Sequence, residues 1–214
     1  MLDVRSHVQT VPTSRYHVSL AVDDREIHEA QRLRYKVFAE EMGARLSTTL
    51  PGHDIDLYDP FCDHLLVRDL ASGEVVGTYR ILPPDDARRV GSYYSEQEFD
   101  LTRLNFLRPR MAELGRSCVH PAHRSGSVIA RLWMGLADYM TRYGYDYLVG
   151  CASIGMADGG HIAASVYRQL SNRHLAPVEW RTTPRYRLPV ESLDDGLTAT
   201  LPPLIKGYTR MGAM

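Results

Sequence analysis

The sequence predicts an α/β (α+β) protein with a mixed sheet and helices on its faces. Three observations lead to this fold class. Apolar segments with strand and helix periods follow one another in the order strand, helix, hairpin, strand, helix, strand, helix. The chain of 214 residues is long enough for one sizeable core, and its 44% hydrophobic and 24% charged residues are typical of a globular protein.

The first half of the chain predicts a strand, a helix and a β-hairpin. YHVSLAV (16–22) has strand character, and a helix is expected from an N-cap at Asp24 to a stop at Gly43. An acidic loop (44–60) follows, and DHLLVRDL and EVVGTYRIL flank Ala71-Ser72-Gly73 as a hairpin. The helix is indicated by apolar residues at helical spacing: Ile27, Ala30, Leu33, Val37 and Phe38.

The second half predicts alternating strands and helices. After a turn at Pro-Pro-Asp-Asp, we expect a helical connection (95–107), a strand from Met111 to Val119 and a helix at 126–143. DYLVGCAS (146–153) is a candidate buried strand, followed by a helix near 158–170 and a Pro-broken, arginine-bearing tail. Residues 1–14 are expected to form a flexible arm, and residues 15–214 a single domain.

Composition limits the setting and the partners. The N-terminus shows no apolar segment typical of a signal peptide, and no run reaches the roughly 18 apolar residues of a spanning helix. Three cysteines without metal-ligand spacing indicate a reducing cytoplasm. Residues 103–187 carry twelve arginines, no lysine and five acidic residues, which favours an anionic partner or a solvated face equally. No basic run is interleaved with aromatics, so nucleic acid is disfavoured.

Two arginines lie where burial is expected. Arg34 borders the apolar stripe of the first helix, and Arg80 lies within the apolar strand VVGTYRIL. A buried guanidinium requires carboxylates. The acidic loop offers them, so the sequence predicts either an ion-pair network that holds the fold or a polar pocket that binds a zwitterion. The candidate partners are Asp54, Asp56, Asp59 and Asp63.

Glu113 and Arg116 share the strand ELGRSCV. Residues three apart in a regular strand face opposite sides of the sheet. A β-bulge at Gly115 would turn both side chains toward one cleft. The alternative is an ion pair on an exposed edge strand.

The turn Arg124-Ser125-Gly126-Ser127 lies between this strand and the next helix. Glycine lets the backbone approach a ligand, the N–H groups of a helix start attract phosphate, and Arg124 would add a fixed positive charge. An ordinary helix cap explains Ser127 equally well. Asp63 and His64 form a candidate catalytic pair. His120, His123 and His161 lack metal-site spacing, so no metal is expected, and Ser153 is not in a nucleophile elbow.

Seven segments follow one another along most of the chain: RLRYKVFAEEMGA, DIDLYDPFCDHLLV, VVGTYRILP, YYSEQEFDL, ELGRSCVHPAHR, YLVGCAS and LPPLIKGY. Taken together, these segments resemble the acyltransferase branch of the GNAT superfamily. They are most similar to bacterial L-ornithine N-acyltransferases, which make lyso-ornithine lipid from 3-hydroxyacyl-carrier protein. Acyl-homoserine-lactone synthases and N-acyl amino acid synthases share part of the pattern, but GRSCV and the missing tryptophan after Phe38 favour the ornithine branch.

The resemblance implies a mixed, mostly antiparallel sheet that is splayed at its centre, with helices on both faces, and direct acyl transfer from a thioester to an amine. Glu113 would be the base, and Arg116 would either orient Glu113 or meet the carboxylate of the acceptor. Backbone N–H groups near Cys118 and Val119 would hold the oxyanion. Relatives commonly continue past LPPLIKGYTRMGAM, so the C-terminal part is expected to be missing or divergent. The acceptor would contact Arg34, Asp56, Asp59, Asp63, His64 and Arg80. The phosphopantetheine of the donor would contact Cys118, Val119, Arg124, Ser125, Gly126, Ser127 and Ser153, and the acyl chain Phe38, Phe99 and Trp133.

The resemblance also implies partners and a location. No tightly bound cofactor is expected, because the co-substrate is an acyl-carrier-protein thioester or acyl-coenzyme A. Ornithine is the expected acceptor. The protein is expected in the cytoplasm, with peripheral contact to the inner membrane face as an option because the product is a lipid. Two alternatives remain: another N-acyl amino acid or acyl-homoserine-lactone synthase, or a non-catalytic module that binds acyl-carrier protein.

Overall fold

The computed structural model describes residues 14–194 and 196–214. Except for Ser14, the predicted N-terminal arm lies outside the described residues. The chain divides into two compact units, with residues 14–81 and 116–143 in unit 1 and residues 82–115 and 144–214, without 195, in unit 2. The expectation of a single domain over 15–214 stays a prediction.

In chain order, the described residues form these elements: β1 (Tyr16–Leu20), α1 (Asp24–Tyr35), β2 (Asp63–Asp69), β3 (Val75–Leu82), α2 (Pro84–Val90), β4 (Phe99–Asp100), β5 (Met111–Val119), α3 (Ser127–Tyr143), β6 (Tyr147–Val149), α4 (His161–Ser171), β7 (Thr183–Pro184) and α5 (Pro203–Arg210).

Unit 1 is built on an antiparallel sheet. β1 pairs with β2 from Tyr16 opposite Asp69 to Leu20 opposite Leu65. β2 and β3 form the predicted hairpin, with a register irregularity between Val67 and Arg68. β5 follows β3 in the strand order, and the His120 N–H just beyond β5 donates to the Val76 carbonyl. The mixed, mostly antiparallel fold class is confirmed.

The two long helices of unit 1 cover opposite faces of this sheet. Leu65 and Leu66 are consecutive in β2, so their side chains point to opposite faces. Leu66 packs in the core with Ala30 and Leu33 of α1. A Cβ at Gly135 of α3 would lie 3.2 Å from Leu65, which places α3 on the other face.

The helices predicted on the basis of apolar period are confirmed with small shifts. The N-cap of α1 is Asp23, whose carboxylate accepts the Glu26 N–H at 2.9 Å, one residue before the predicted cap. The chain then continues as a π-helical segment (Lys36–Glu41) to Gly43, which has a φ of 73°. α3 begins and ends within one residue of the prediction.

Unit 2 corrects two expectations. The turn predicted at Pro83–Asp86 is the start of α2, with Pro84 in its first turn and Gly91 as a left-handed C-cap at φ 100°. Conversely, residues 95–107 do not form one continuous helix. They contain short 3₁₀ turns and the strand β4. The acidic first turn and basic last turn of α2 suit a helix dipole, and this charge order was the missed signal.

β6 also differs from the prediction. Only Tyr147–Val149 is strand, and Leu148 is 42% exposed, so the expected buried strand over 146–153 is wrong. β6 runs parallel to β5, and the pairing ends at Glu113 opposite Val149. A Cβ at Gly150 would lie 2.5 Å from the Leu114 carbonyl, which explains the glycine where the chain leaves the sheet. α4 begins at His161, and the tail contains α5, which the sequence did not predict.

Among the described residues, no helix combines the length and apolar character needed to cross a bilayer.

Candidate active site

A buried network of alternating charges lies on the α1 side of unit 1. Arg34 of α1 is 0% exposed, and its guanidinium donates to the Asp54 carboxylate at 2.9 Å and to the Asp54 carbonyl. It also forms a two-point contact with Asp59, at 2.7 and 2.9 Å. Both carboxylate oxygens of Asp59 and one of Asp54 thereby accept a hydrogen bond, which compensates for the desolvation of the charges. Of the four predicted acidic partners, Asp54 and Asp59 pair with Arg34, whereas Asp63 accepts a hydrogen bond from Tyr139 instead.

Two further arginines complete this network. Arg80 of β3 donates to Asp56 at 2.6 Å and lies 3.5 Å from Asp59. Arg116 of β5 donates to Asp54 and to Asp56, both at 3.0 Å. The Asp–Arg network, as we call it, therefore has no net formal charge. Its members are Arg34, Arg80, Arg116, Asp54, Asp56 and Asp59.

The pKa values follow from burial and pairing. Burial acts to raise the pKa of the Asp59 carboxyl, but the hydrogen bond and charge of Arg34 and the charge of Arg80 outweigh it, so this pKa lies below its usual range. Burial also opposes the charge of Arg80, and Asp56 overcomes this, so the pKa of Arg80 is raised. Asp59 and Arg80 therefore stay ionised at neutral pH.

The Asp–Arg network has a buried part and a rim. The side chains of Arg34, Asp54, Asp59 and Arg80 are at most 4% exposed, whereas those of Asp56 and Arg116 are each 21% exposed. Only the rim pair can meet a ligand without unfolding of the surrounding structure. The interpretation as an ion-pair network that holds the fold therefore applies to the buried side chains, and the interpretation as a binding pocket applies to the rim pair, Asp56 and Arg116.

His64 and Asp63 do not form a catalytic pair with each other. Asp63 accepts the Tyr139 hydroxyl at 2.6 Å. The His64 ring, 2% exposed, places Nε2 at 3.3 Å from the Asp59 carbonyl, and its Nδ1 has no partner among the described residues. Burial lowers the pKa of His64, so the ring is neutral at pH 7. His64 borders the Asp–Arg network as a buried, uncharged side chain.

The backbone of β5 is irregular at Arg116. Arg116 has a φ of 52° and is the non-glycine residue in the described chain with positive φ. The left-handed conformation costs an L-residue roughly 1–2 kcal/mol, and the two ion pairs of Arg116 offset this cost. The irregularity predicted at Gly115 therefore lies one residue later. Such strain is typical of functional sites.

Glu113 is held on the same strand by backbone donors. Its carboxylate accepts the N–H groups of Tyr94 and Ser95, both at 2.6 Å, and the residue is 4% exposed. Because β5 has a neighbouring strand on each side, the alternative of an edge-strand ion pair is wrong. The observed partners of Glu113 lie in unit 2 and those of Arg116 in unit 1, so their meeting in one cleft stays a prediction.

The turn before α3 carries a glycine and a paired arginine. Gly126 has a φ of 97°, and α3 begins at Ser127. The Arg124 guanidinium forms a two-point ion pair with Glu41 at 2.5 and 2.7 Å and also donates to the Val119 carbonyl. The expected lone positive charge is therefore shared with Glu41, a residue that the sequence did not suggest. Both side chains of this pair are exposed.

Lys36 and His120 lie close to this turn and were also missed. Lys36 Nζ is 2.8 Å from His120 Nε2, and the His120 and His123 rings meet edge to face at 5.5 Å. Burial, Lys36 and His123 lower the pKa of His120. The two residues are more than eighty positions apart, so only the fold brings them together.

The aromatic residues assigned to the acyl chain do not form one pocket. Phe38 packs against the core beside α1, whereas Trp133 lies on α3, on the opposite face of the sheet. Phe99 lies in β4 of unit 2, opposite Pro184 of β7. A common pocket for Phe38 and Trp133 is therefore wrong, because the sheet separates them. Phe38 and Phe99 stay candidates. Ser153 is exposed in the segment after β6.

Comparison with known proteins decides the family. Residues 33–134 match the family described as Acetyltransferase (GNAT) domain. The chain is 38% identical to the L-ornithine N(alpha)-acyltransferase of Brucella abortus (strain 2308), over 92% of this chain and 76% of that protein. Identity to the protein of the same name from Rhodobacter capsulatus is 39%, over 92% and 81%.

The chain belongs to the L-ornithine N(alpha)-acyltransferase family. It is therefore an acyltransferase with a GNAT domain, as the segments from Arg32 to Tyr208 predicted.

Solved structures show how widely the fold of this family is shared. The acyl-homoserine-lactone synthase LasI superposes with a TM-score of 0.50 at 24% identity, over 72% of this chain and 79% of that one. The CoA-dependent acyl-homoserine lactone synthase BjaI, with SAM and isopentyl-CoA, also gives 0.50, at 21% identity over 71% and 72%. These two likenesses establish the fold.

Two of the three thiols, Cys118 and Cys151, are poor nucleophiles. Burial raises the pKa of the Cys118 thiol to about 12, and Cys118 packs in the core of unit 1. Burial also raises the pKa of Cys151, despite a contact of 3.4 Å with the Ser95 hydroxyl. Among the described residues, no group of three or more His, Cys, Asp or Glu side chains is arranged to hold a metal ion.

Proposed function

We propose that this acyltransferase transfers a 3-hydroxyacyl chain from an acyl-carrier-protein thioester to the α-amine of L-ornithine, which gives lyso-ornithine lipid. The observation that supports this best is the rim pair of the Asp–Arg network, where the partly exposed Asp56 carboxylate and Arg116 guanidinium lie 3.0 Å apart. This pair matches the opposite charges of an amino acid. The family membership supports ornithine as the acceptor.

The rim pair can open at low cost. If Arg116 turns to the carboxylate of ornithine, its Nε still donates to Asp54 at 3.0 Å. If Asp56 turns to an ammonium group, its other oxygen still accepts from Arg80 at 2.6 Å. No buried charge is left unpaired by the exchange, which avoids the penalty that breaking a buried ion pair carries. Arg34, Asp54 and Asp59 position the rim and do not themselves contact ornithine.

Glu113 is the proposed base, directly or through one water. At neutral pH the α-amine is mostly protonated, so a base must remove a proton before the nitrogen attacks. The N–H groups of Tyr94 and Ser95 hold the carboxylate in place on β5, which supports its use as a positioned base. The amine nitrogen then bonds to the thioester carbon, the C–S bond breaks, and the thiol leaves with a proton. Backbone N–H groups near Cys118 and Val119 are proposed to hold the oxyanion.

Transfer is proposed to be direct, without an acylated cysteine. The high pKa of the Cys118 and Cys151 thiols supports this order, because the thiolate is the nucleophile. A trapped intermediate with acyl on either cysteine would contradict it.

The turn at Arg124–Ser127 is the proposed site for the phosphate of the donor. If phosphate competes with Glu41 for Arg124, then Glu41→Gln lowers the KM for the donor and Arg124→Ala raises it, with unchanged KM for ornithine. An unchanged donor KM in both variants removes this turn from the site. Carrier protein and coenzyme A share this phosphate, so each variant is assayed with both donors.

The reaction places the protein in the cytoplasm, where carrier protein is available, with peripheral contact to the inner membrane face because the product is a lipid. This localisation is part of the proposal and follows from its donor and product. Flotation with liposomes during turnover, compared with the protein without substrates, measures the contact.

An amine panel tests the acceptor. Acyl-carrier protein or acyl-coenzyme A is offered with L-ornithine, putrescine, S-adenosylmethionine, glycine or tyrosine, and thiol release is followed with mass analysis of the product. Ornithine should react fastest. Putrescine has the amines of ornithine without its carboxylate, so it should react slowly. Preference for S-adenosylmethionine would indicate a homoserine-lactone synthase, and binding of carrier protein without thiol release would indicate a non-catalytic module.

A further inference from the structure

Unit 1 has a groove on the face of its sheet opposite the Asp–Arg network. The groove has a volume of about 440 Å³ and lies between β1 and α3. It is lined by Ser14 and residues 16–20 on one side, by Leu65 of β2, and by α3 residues on the other side: Arg131, Met134, Gly135, Asp138, Tyr139, Arg142 and Tyr143. The network lies on the α1 face with Arg34, so the groove is separate from the candidate active site.

One wall of the groove is a strand with an open edge. In the described chain, β1 has β2 on one side and no strand on the other. The Ala21 N–H donates to the His64 carbonyl, and the Leu70 N–H donates to the Arg15 carbonyl. Because hydrogen-bonded pairs alternate along an antiparallel pair of strands, the odd-numbered residues of β1 direct their N–H and C=O groups toward β2. Val18 and Leu20 therefore direct their N–H and C=O groups outward, where no described residue bonds them.

The open edge has a defined end. The Ser14 hydroxyl bonds both the N–H and the C=O of Tyr16, at 3.3 and 2.9 Å, which closes that position to another strand. Proteins commonly protect edge strands with lysine, proline or a bulge. YHVSL contains no lysine or proline, and its pairing with β2 is regular from Tyr16 to Leu20. The edge at Val18 and Leu20 is thus suited to accept one more strand.

The other wall is positively charged. Arg131 and Arg142 of α3 line the groove, and neither has a side-chain partner among the described residues. Most other arginines near the sheet are paired, such as Arg15 with Asp69 and Arg68 with Glu26. The groove has one carboxylate, Asp138, against these two guanidinium groups. Charge complementarity therefore favours an acidic occupant.

We propose that this groove binds an extended acidic peptide segment of a partner protein, which adds to β1 as a further strand. Main-chain bonds to Val18 and Leu20 would hold the segment, because strand addition takes its affinity from such bonds. Alternate side chains would lie toward α3, over Gly135 and the exposed Met134, within reach of Arg131 and Arg142. The proposal does not depend on the acyl transfer reaction.

The test uses the full chain and a blocked, fluorescent octapeptide that alternates Glu and Val, followed by anisotropy at low salt. The same peptide with Lys in place of Glu is the charge control. We expect the acidic peptide to bind and the basic one to bind at least about tenfold more weakly. The reason is that attraction to Arg131 and Arg142 is replaced by repulsion when Lys stands in place of Glu. Equal binding of both peptides, or of neither, overturns the proposal.

N-methylated peptides separate strand addition from charge attraction. Methyl groups on alternate amides block the N–H groups on one edge of an extended peptide. One of the two alternate sets should therefore abolish binding and the other should leave it nearly unchanged. Equal affinity of both sets would show a charged surface without strand pairing and would refute the proposal.

Variants place the binding on α3. Arg131→Glu with Arg142→Glu should weaken the acidic peptide about tenfold, whereas Arg25→Glu, an exposed arginine of α1 with no side-chain partner in the described chain, should not. If Arg25→Glu weakens it equally, general charge is responsible and the assignment fails. Sedimentation of the chain alone serves as the last check, because a dimer that the peptide cannot dissociate would assign the edge to a second copy and overturn the proposal.

Discussion

Each buried charge of the Asp–Arg network depends on the geometry of its neighbours. The guanidinium of Arg34 meets Asp54 and Asp59 through several donors at 2.7–2.9 Å. Lysine cannot reproduce this, because an ammonium group lacks the planar fork. Removal of the guanidinium leaves the buried carboxylates of Asp54 and Asp59 without their main partner. Loss of Arg34 is therefore expected to lower the free energy of unfolding by more than the loss of the same number of exposed ion pairs would.

Arg34→Met should lower the free energy of unfolding by about 3–5 kcal/mol, because it leaves Asp54 and Asp59 without their main buried partner. Urea unfolding followed by circular dichroism measures the change. Arg25→Met serves as a control, since an exposed arginine without a partner in the described residues should shift stability by within about 0.5 kcal/mol. A loss below about 1 kcal/mol for Arg34→Met would show that the network is not stabilising.

Glu113→Gln should reduce both turnover and stability. Turnover should fall at least about tenfold, because the proposed base is lost. The structure adds a stability cost of about 1–3 kcal/mol, because one end of the amide would face a backbone N–H donor. Thermal unfolding and thiol release on the same preparation test both effects.

The control for Glu113→Gln is Glu98→Gln, an exposed carboxylate of the same unit. It should change neither quantity. If Glu113→Gln loses stability and keeps its turnover, Glu113 only fastens the Tyr94–Ser95 turn and the base must be sought elsewhere.

At the scale of elements, the β1–β2 pair is held by Arg15 and Asp69. Arg15 donates to both oxygens of Asp69, at 2.7–3.2 Å, and the Ala71 N–H in the turn beyond β2 donates to the same carboxylate. The Arg15 hydrogen bond lowers the pKa of Asp69 to about 2. The carboxylate therefore joins the edge strand β1 to the hairpin while it is ionised.

Asp69→Asn should make the thermal midpoint less sensitive to acid. A carboxylate with a lowered folded-state pKa contributes stability above its unfolded pKa of about 3.9, and this contribution is lost as pH falls through the folded pKa. The midpoint of the wild type should thus exceed that of the variant at pH 7, and the gap should close between about pH 4 and about pH 2. A constant gap over this range would contradict the assignment.

Locally determined elements were predicted well. The hairpin β2–β3, the strand β5 and the helix α3 follow from apolar period and turn residues close in sequence. α2 was missed because Pro-Pro-Asp-Asp is compatible both with a turn and with a helix start. β6 was overestimated because an apolar run does not reveal where its partner strand ends, and here the pairing stops at Glu113.

At the scale of the molecule, the chain passes between its two units three times, after Ile81, Gly115 and Tyr143. β5 contributes Met111–Gly115 to one unit and Arg116–Val119 to the other as one continuous strand. Neither unit is a continuous stretch of chain. Loss of one unit therefore removes half of a strand that the other requires.

Thermal unfolding should consequently be a single transition, with calorimetric and van't Hoff enthalpies in agreement. Arg34→Met, in unit 1, should move this transition to lower temperature as a whole. Two resolved transitions, or a shift of only part of the heat absorption, would show that the units unfold separately. Differential scanning calorimetry of both proteins is the measurement.

The sequence alone determined the fold class, the family and the identity of most charged residues of the site. Periodicity and turn residues are properties of neighbouring positions, so they can be read from the sequence. An arginine within an apolar segment likewise indicates that a carboxylate elsewhere in the chain is buried beside it. The tertiary structure decided which charges are buried and which reach solvent, that Arg124 is paired with Glu41, and that the sheet separates Phe38 from Trp133. These facts depend on contacts between residues far apart in the chain, and burial and pairing are properties of such contacts.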